Sequence, residues 1–205
     1  MHPNSAYRHG AREDVGRALM ETLIEEIGFG MVFAQTPDGP RVAHVPLLST
    51  GDGALQFHLS RGNAMAKYLD GMTVLAVING PDGYVSPRWY GEDGQVPTWN
   101  YVALELEGRV RRMDSEGLTG MLEALTARHE ARIAEGEPWR MEELAPERLR
   151  GLLAGTVGFE LEVLAWRETL KLSQDKAAEL RARVAEGLEG EGAHAIAHLM
   201  RTLAP

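Results

Sequence analysis

The sequence predicts an α+β fold: an antiparallel β-barrel of six or seven strands, with helices before, within and after it. Three observations carry the prediction. Short apolar runs are separated by tight turn sequences, as at Thr36-Pro-Asp-Gly39 and Thr50-Gly-Asp-Gly53. Two segments alternate between apolar and polar residues, one through Val102, Leu104, Leu106 and Val110, the other through Val157, Phe159, Leu161 and Val163. Helical periodicity is confined to the two ends and to one insertion. Successive strands joined this tightly form a meander rather than alternating βαβ units.

Each element then follows in order. Val15, Leu19, Leu23 and Ile27 recur every four residues, so Arg12 to Ile27 reads as an amphipathic helix, with Glu13 and Asp14 at its positive end. Strands follow over Phe29 to Gln35, Arg41 to Leu48 and Ala54 to Ser60. Asn63 suits the cap of a short helix running to Leu69. Met72 to Asn79 is a continuous apolar run, hence a buried strand, and Gly80-Pro-Asp-Gly83 reads as the next turn. Tyr84 to Tyr90 and the stretch from Val96 flank the Gly91-Glu-Asp-Gly94 turn. Asp114 caps a helix whose apolar stripe is Leu118, Leu122, Leu125 and Ile133. Pro146 opens another helix, where its missing N–H is harmless. Thr156 to Val163 is the last strand, and helices over Asp175 to Leu188 and Gly192 to Leu203 finish the chain around a hinge-like Glu189-Gly-Glu-Gly192. The organisation is a barrel domain over 1–174 and a helical extension over 175–205.

Composition narrows the function. The 205 residues can bury a core unaided, and the absence of cysteine excludes disulfides and thiolate metal sites. The opening MHPNSAYRHG lacks an apolar leader segment, and the apolar stretch Thr73 to Ile78 is too short to span a bilayer, so a cytoplasmic protein is expected. A net charge of −9 and no helix-turn-helix pattern argue against nucleic acid as a direct partner. Arg109, Arg111 and Arg112 form the tight basic cluster and read as a solvated strand end.

The standard catalytic signatures are missing: no phosphate-binding Gly-rich loop, no nucleophile elbow and no H-E-x-x-H helix. His194 and His198 share a helix face but lack the further ligands a metal takes, and His129 falls on an apolar stripe, so these read as surface and structural histidines. The segment Gln56-Phe-His-Leu-Ser-Arg-Gly-Asn63 offers more: a strand ends in polar donors, Arg61 supplies a fork and Lys67 a point charge at a helix start. A phosphate site and an ordinary capped helix both fit this pattern. The segment from Gly80 to Tyr101 concentrates tryptophan, tyrosine and proline, which suits a planar heteroaromatic ligand, a subunit interface or the closure of a barrel end.

At these residues the sequence resembles the PaiB family of FMN-binding split-barrel proteins, described as FMN-binding negative transcriptional regulators. The matching strings are Ala43-His-Val-Pro-Leu-Leu48, Phe57-His-Leu-Ser-Arg-Gly-Asn63, Asn79-Gly-Pro-Asp-Gly-Tyr-Val-Ser-Pro-Arg-Trp-Tyr90, Val96-Pro-Thr-Trp-Asn-Tyr101, Gly158-Phe-Glu-Leu161 and Lys171-Leu-Ser-Gln174. The resemblance implies a split barrel, an intertwined homodimer and FMN at the dimer interface. It implies that His58, Ser60, Arg61 and Asn63, with Lys67 nearby, border the phosphate or ribityl chain. Ser86, Trp89, Thr98, Trp99 and Asn100 would line the ring pocket, and Lys171, Ser173 and Gln174 would close the site from the other subunit. The chain departs from the family where Asp82 replaces a common histidine, Ala64 a proline, Leu170 an aromatic residue and Asp175 an asparagine.

Three functions follow as expectations. The first is a flavin-binding regulator or sensor that takes a small-molecule ligand. The second is a flavin-dependent oxidoreductase, with His44 and His58 as candidate proton donors. The third is a haem-binding relative, which needs an axial histidine such as His58 or one of the terminal pair, His194 and His198.

Overall fold

The computed structural model describes residue 7 and residues 13–204. The expected helix start at Arg12 and most of the opening decapeptide lie outside the described residues. Among these residues seven strands form one antiparallel sheet, in the order β2-β1-β5-β6-β7-β4-β3. The strands are β1 (Phe29–Thr36), β2 (Gly39–Pro46), β3 (Leu48–Ser49), β4 (Ala54–Ser60), β5 (Thr73–Val85), β6 (Thr98–Arg112) and β7 (Thr156–Lys171). Helices α1 (Glu13–Ile27), α2 (Ser115–Glu130), α3 (Pro146–Ala154), α4 (Ala178–Gly190) and α5 (His194–Leu203) surround them in sequence. No described helix is long and apolar enough to cross a membrane.

The chain forms two compact units. Of the described residues, the first comprises Tyr7, residues 13–20, Asn79–Glu105 and residues 167–204, and the second Glu21–Ile78 and Leu106–Trp166. Strands β5, β6 and β7 each give one segment to either unit.

The second unit is built on local hairpins and one distant pairing. β1 and β2 pair from Phe29↔Pro46 to Thr36↔Gly39, around the turn that the Pro-Asp-Gly sequence predicts. β4 pairs with β7 from Ala54↔Glu162 to Ser60↔Thr156. Leu55, Phe57 and Leu59 face inward with Phe159 and Leu161, and the Phe57 and Phe159 rings stack at 5.4 Å between centroids. Gly108 in β6 lies where a Cβ would come within 2.3 Å of the Glu162 carbonyl oxygen, so only glycine allows β7 this close. The Asp114 carboxylate accepts from the Gly117 N–H at 2.8 Å and caps α2, as the sequence predicts. Leu118, Met121 and Leu125 then pack on Leu48. Pro146 opens α3 as expected. His129 packs against Gly28, where a Cβ would meet its Cε1 at 2.9 Å.

Around Asn63 the sequence reading is corrected. Residues 61–71 form successive turns, not a helix. The Asn63 side chain accepts from the Met65 N–H at 2.9 Å; bonds from Ala66 to Asn63 and from Tyr68 to Met65 run three residues back, and a single bond, from Leu69 to Met65, runs four. An asparagine that turns its own backbone competes with the helix that it could cap.

The first unit holds α4 and α5 with the outer part of β5 and the start of β6. Its buried residues include Val85, Tyr90, Val102, Leu172, Val184, Leu188, Ile196 and Met200. Two further corrections belong here. Gly80-Pro-Asp-Gly83 makes no turn, because β5 continues through it to Val85. The segment expected as a strand over Tyr84 to Tyr90 instead ends in a short 3-10 turn, Pro87–Trp89. The last strand also runs on to Lys171, well beyond Val163.

Candidate functional site

In the second unit, the alternation of β4 puts Gln56, His58 and Ser60 on the face opposite Leu55, Phe57 and Leu59. Gln56 donates to the Glu160 carboxylate at 3.2 Å, and Glu160 in turn accepts from Arg111 at 2.8 Å. His58 stands across from Gly158. Its Nδ1 is buried and has no hydrogen-bond partner among the described residues, and burial holds the imidazole below its ordinary pKa. Ser60 Oγ accepts from the Gly62 N–H at 3.3 Å.

Arg61 leaves the strand with its guanidinium turned onto the end of α3. Its Nε donates to the Ala154 carbonyl at 2.7 Å and its Nη2 to the Thr156 carbonyl at 3.3 Å. Of the five guanidinium N–H groups, three remain for another acceptor. A cavity of about 320 Å³ lies beside it, also lined by Arg112, Ser115, Leu118 and Thr156. Lys67 is exposed, with its ammonium 4.5 Å from the Tyr68 ring centroid. The second unit thus offers, among the described residues, an orphaned imidazole nitrogen and spare Arg61 donors that suit a phosphate, but of the expected phosphate residues the cavity lining includes Arg61 alone, and the Asp114 carboxylate shares it.

In the first unit, Thr98, Asn100, Lys171 and Ser173 line one cavity of about 270 Å³. The Lys171 ammonium donates to Thr98 Oγ1 and lies 6.0 Å from the Tyr7 ring centroid. Burial pushes its pKa below that of an ordinary lysine, partly offset by the Asp175 carboxylate. Asn100 is fully buried; its Nδ2 donates to Ser173 Oγ at 3.0 Å and meets Met200 Sδ at 3.3 Å. Ser173 has φ +61°, the one non-glycine residue with positive φ among those described. Asp175, which the sequence marks as a departure beside the Lys-Leu-Ser-Gln string, also lines the cavity, as do Tyr7, Tyr90, Gln95, Val96 and Lys176, which were not among the expected site residues. Tyr7 had no signal at all, since its surroundings lack periodicity. Asp175 and Lys176 directly follow the Lys-Leu-Ser-Gln string and were within reach.

The other predicted residues have their side chains committed inside the first unit. Ser86 Oγ caps the 3-10 turn by accepting from the Arg88 N–H at 3.3 Å. The Trp89 ring lies on α4, where a Cβ on Gly187 would meet it at 2.3 Å. Gln174 accepts from the Leu172 N–H at 2.7 Å and donates to the Leu170 carbonyl, pinning the turn that carries Lys171. Trp99 is half-exposed and edge-on to Tyr84, with its Nε1 donating to Asp82 at 2.9 Å. Asp82 is therefore a strand residue paired to an indole, not a turn aspartate.

Comparison with known proteins bears on the family and the fold. A family profile described as "Putative FMN-binding domain" matches residues 1–165. The chain is 29% identical to the protease synthase and sporulation protein PAI 2 of Bacillus subtilis over 173 residues, 82% of each chain. Among solved structures, it is similar to the FAD and heme binding protein from Mycobacterium smegmatis, with TM-score 0.56, 22% identity and coverage of 76% of this chain and 71% of that one. It is also similar to a conserved hypothetical protein from Mycobacterium tuberculosis, with TM-score 0.59, 14% identity and coverage of 86% and 94%. The chain therefore belongs to the FMN-binding domain family, with FMN as its cofactor and the split barrel as its fold.

Proposed function

We propose that the protein is a flavin-binding regulator or sensor that works as a homodimer, holding FMN through His58, Ser60, Arg61, Asn63 and Lys67. The observation that carries the cofactor assignment is the buried His58 Nδ1, which lacks a partner on the same strand that delivers Arg61. A buried polar atom left unpaired costs free energy that a ligand hydroxyl or phosphate oxygen would recover. FMN, when bound, supplies the one- and two-electron chemistry, while these residues bind and orient it. The similarity to PAI 2, whose name places it in sporulation, supports a regulatory role. The acidic charge favours regulation through a small molecule rather than through duplex DNA.

The dimer reading is supported by one face of the second unit. Phe29, Phe33 and Val42 are 53%, 39% and 44% exposed. The registers place Phe33 opposite Val42 and Leu75, and Met31 opposite His44 and Val77. Cross-strand partners share a face, so these residues form an apolar surface of the kind that a second subunit covers. Phe33→Glu should convert a dimer to monomers in sedimentation; a wild-type monomer at micromolar concentration sinks the dimer reading.

Titration of the apo protein with FMN and riboflavin, followed by quenching of flavin fluorescence, tests the cofactor site. FMN should bind at least tenfold more tightly. Lys67→Ala gives the cleaner variant, because Arg61 also ties down α3 and Lys67 rests only on Tyr68. It should lose part of the FMN preference, and equal affinities for the two flavins in the wild type would reject the phosphate site. A second reading, a flavin-dependent oxidoreductase, is favoured by the half-buried Lys171 in a polar cavity. Turnover of NADH by the FMN-loaded protein with a small acceptor separates it from a sensor.

A further inference from the structure

We infer that the cavity of the first unit is a binding site for a small monoanion such as a carboxylate, with Lys171 as the charge partner and Tyr7 and Tyr90 in its lining. The inference rests on this cavity alone and not on the flavin reading. Its volume of about 270 Å³ falls just under the usual range for drug-sized ligands, which limits the occupant to a small molecule.

The charge balance favours a monoanion. Lys171 and Lys176 bring two ammonium groups to the cavity and Asp175 one carboxylate. Each already has a protein partner. Lys176 donates to Gln95 Oε1 at 3.2 Å, and Asp175 bonds the Tyr7 hydroxyl, raising the tyrosine's pKa after burial itself. Lys171 has three N–H groups and, among the described residues, one hydrogen-bond acceptor, Thr98 Oγ1. A partly desolvated cation with donors to spare gains most from an anion that completes its shell. A dianionic phosphate would meet Asp175, and among the described residues the cavity has no arginine in its lining.

The site is also held in shape. The Gln174 side chain bonds the backbone on either side of Lys171, to Leu170 and to Leu172. Ser173 keeps its left-handed backbone, an arrangement that persists where the surroundings over-determine it. Its Oγ is bonded to the buried Asn100. A lysine fixed before the ligand arrives loses little entropy on binding.

Benzoate is the probe, with benzamide as its neutral twin. Calorimetric titration of the full-length apo protein should give at least tenfold tighter binding for benzoate. Lys171→Met should abolish that preference and Lys171→Arg should keep most of it, with thermal melts confirming that each variant folds. If Lys171→Met does not fold, the wild-type comparison decides alone. Equal binding of benzoate and benzamide, or an unchanged preference in Lys171→Met, would overturn the inference. So would displacement of benzoate by FMN mole for mole, since the cavity would then belong to the flavin. Failure to bind FMN at all would sink the cofactor site and leave the benzoate result standing.

Discussion

Replacing Ser173 by alanine and by glycine separates two contributions that coincide at one residue. Both variants lose the Oγ that bonds Asn100 at 3.0 Å, and both leave that fully buried amide short of a partner. Losing one partner of a buried hydrogen bond costs about 1–3 kcal/mol, and this is common to the pair. They differ in the backbone. At φ +61° an L-residue carries a penalty of roughly 1–2 kcal/mol that glycine escapes. Glycine's extra freedom in the unfolded chain takes back about 0.4–1 kcal/mol. Serine to glycine should therefore be milder than serine to alanine by roughly 0.5–1 kcal/mol, a gap of about 1–4 °C in Tm for a chain of this size. Equilibrium urea unfolding of the two variants side by side measures the gap. An alanine variant as stable as the glycine one would show that the left-handed backbone at Ser173 is not strained, and would remove one support of the cavity's preorganisation.

Further outcomes follow from other sites. His58 is held neutral by burial, with its folded pKa below the ordinary 6.5. Between those two values the unfolded chain binds the extra proton, so stability should fall as pH drops through about 6.5 and level off below the folded pKa. His58→Gln should flatten that limb, and an unchanged slope in pH-dependent melts would mean another group drives it. Asp82→Ala frees the Trp99 indole N–H to water; stability should change by less than about 1 kcal/mol, while the near-ultraviolet dichroism of Trp99 changes. Gly187→Val drives a side chain into the Trp89 ring and should cost about 1–3 kcal/mol in urea unfolding. Loss of less than half of one would place the ring elsewhere.

The elements that the sequence made legible are those whose signals are local. The Asp114 cap, the Pro146 helix start and the Pro-Asp-Gly hairpin between β1 and β2 each depend on a few adjacent residues. The misreadings occur where distant residues take over. Gly80 and Gly83 look like turn glycines, yet they serve close packing. A Cβ on Gly80 would sit 3.0 Å from the Val102 Cβ, and one on Gly83 would meet Leu188 at 2.6 Å. The sheet overrides the turn propensity of the intervening Pro-Asp. Asn63 failed in the opposite direction, because its side chain satisfies its own turn before a helix can form. Of the expected site residues, Thr98, Asn100, Lys171 and Ser173 line one cavity, while Ser86, Trp89 and Gln174 hold the backbone around it. A family string marks both kinds of residue equally, and only geometry tells a ligand contact from a brace.

The pairing of β4 with β7 bears on how the chain is made. β4 ends at Ser60, and its register partners span Thr156 to Glu162. A ribosome working at roughly 5–20 residues per second needs on the order of 5–20 s to deliver them. During that interval the hairpin of β1 and β2 can close, and β4 can pack on β2, but the two-residue β3 is its one sheet partner among the described residues until β7 arrives. Its inner face of Leu55, Phe57 and Leu59 and its open row of backbone donors form an edge that other nascent chains can join. Gln56 and His58 on the outer face offer little charge to repel such contacts. The yield of this protein should therefore respond to synthesis rate and chaperone supply as well as to the stability of the finished fold.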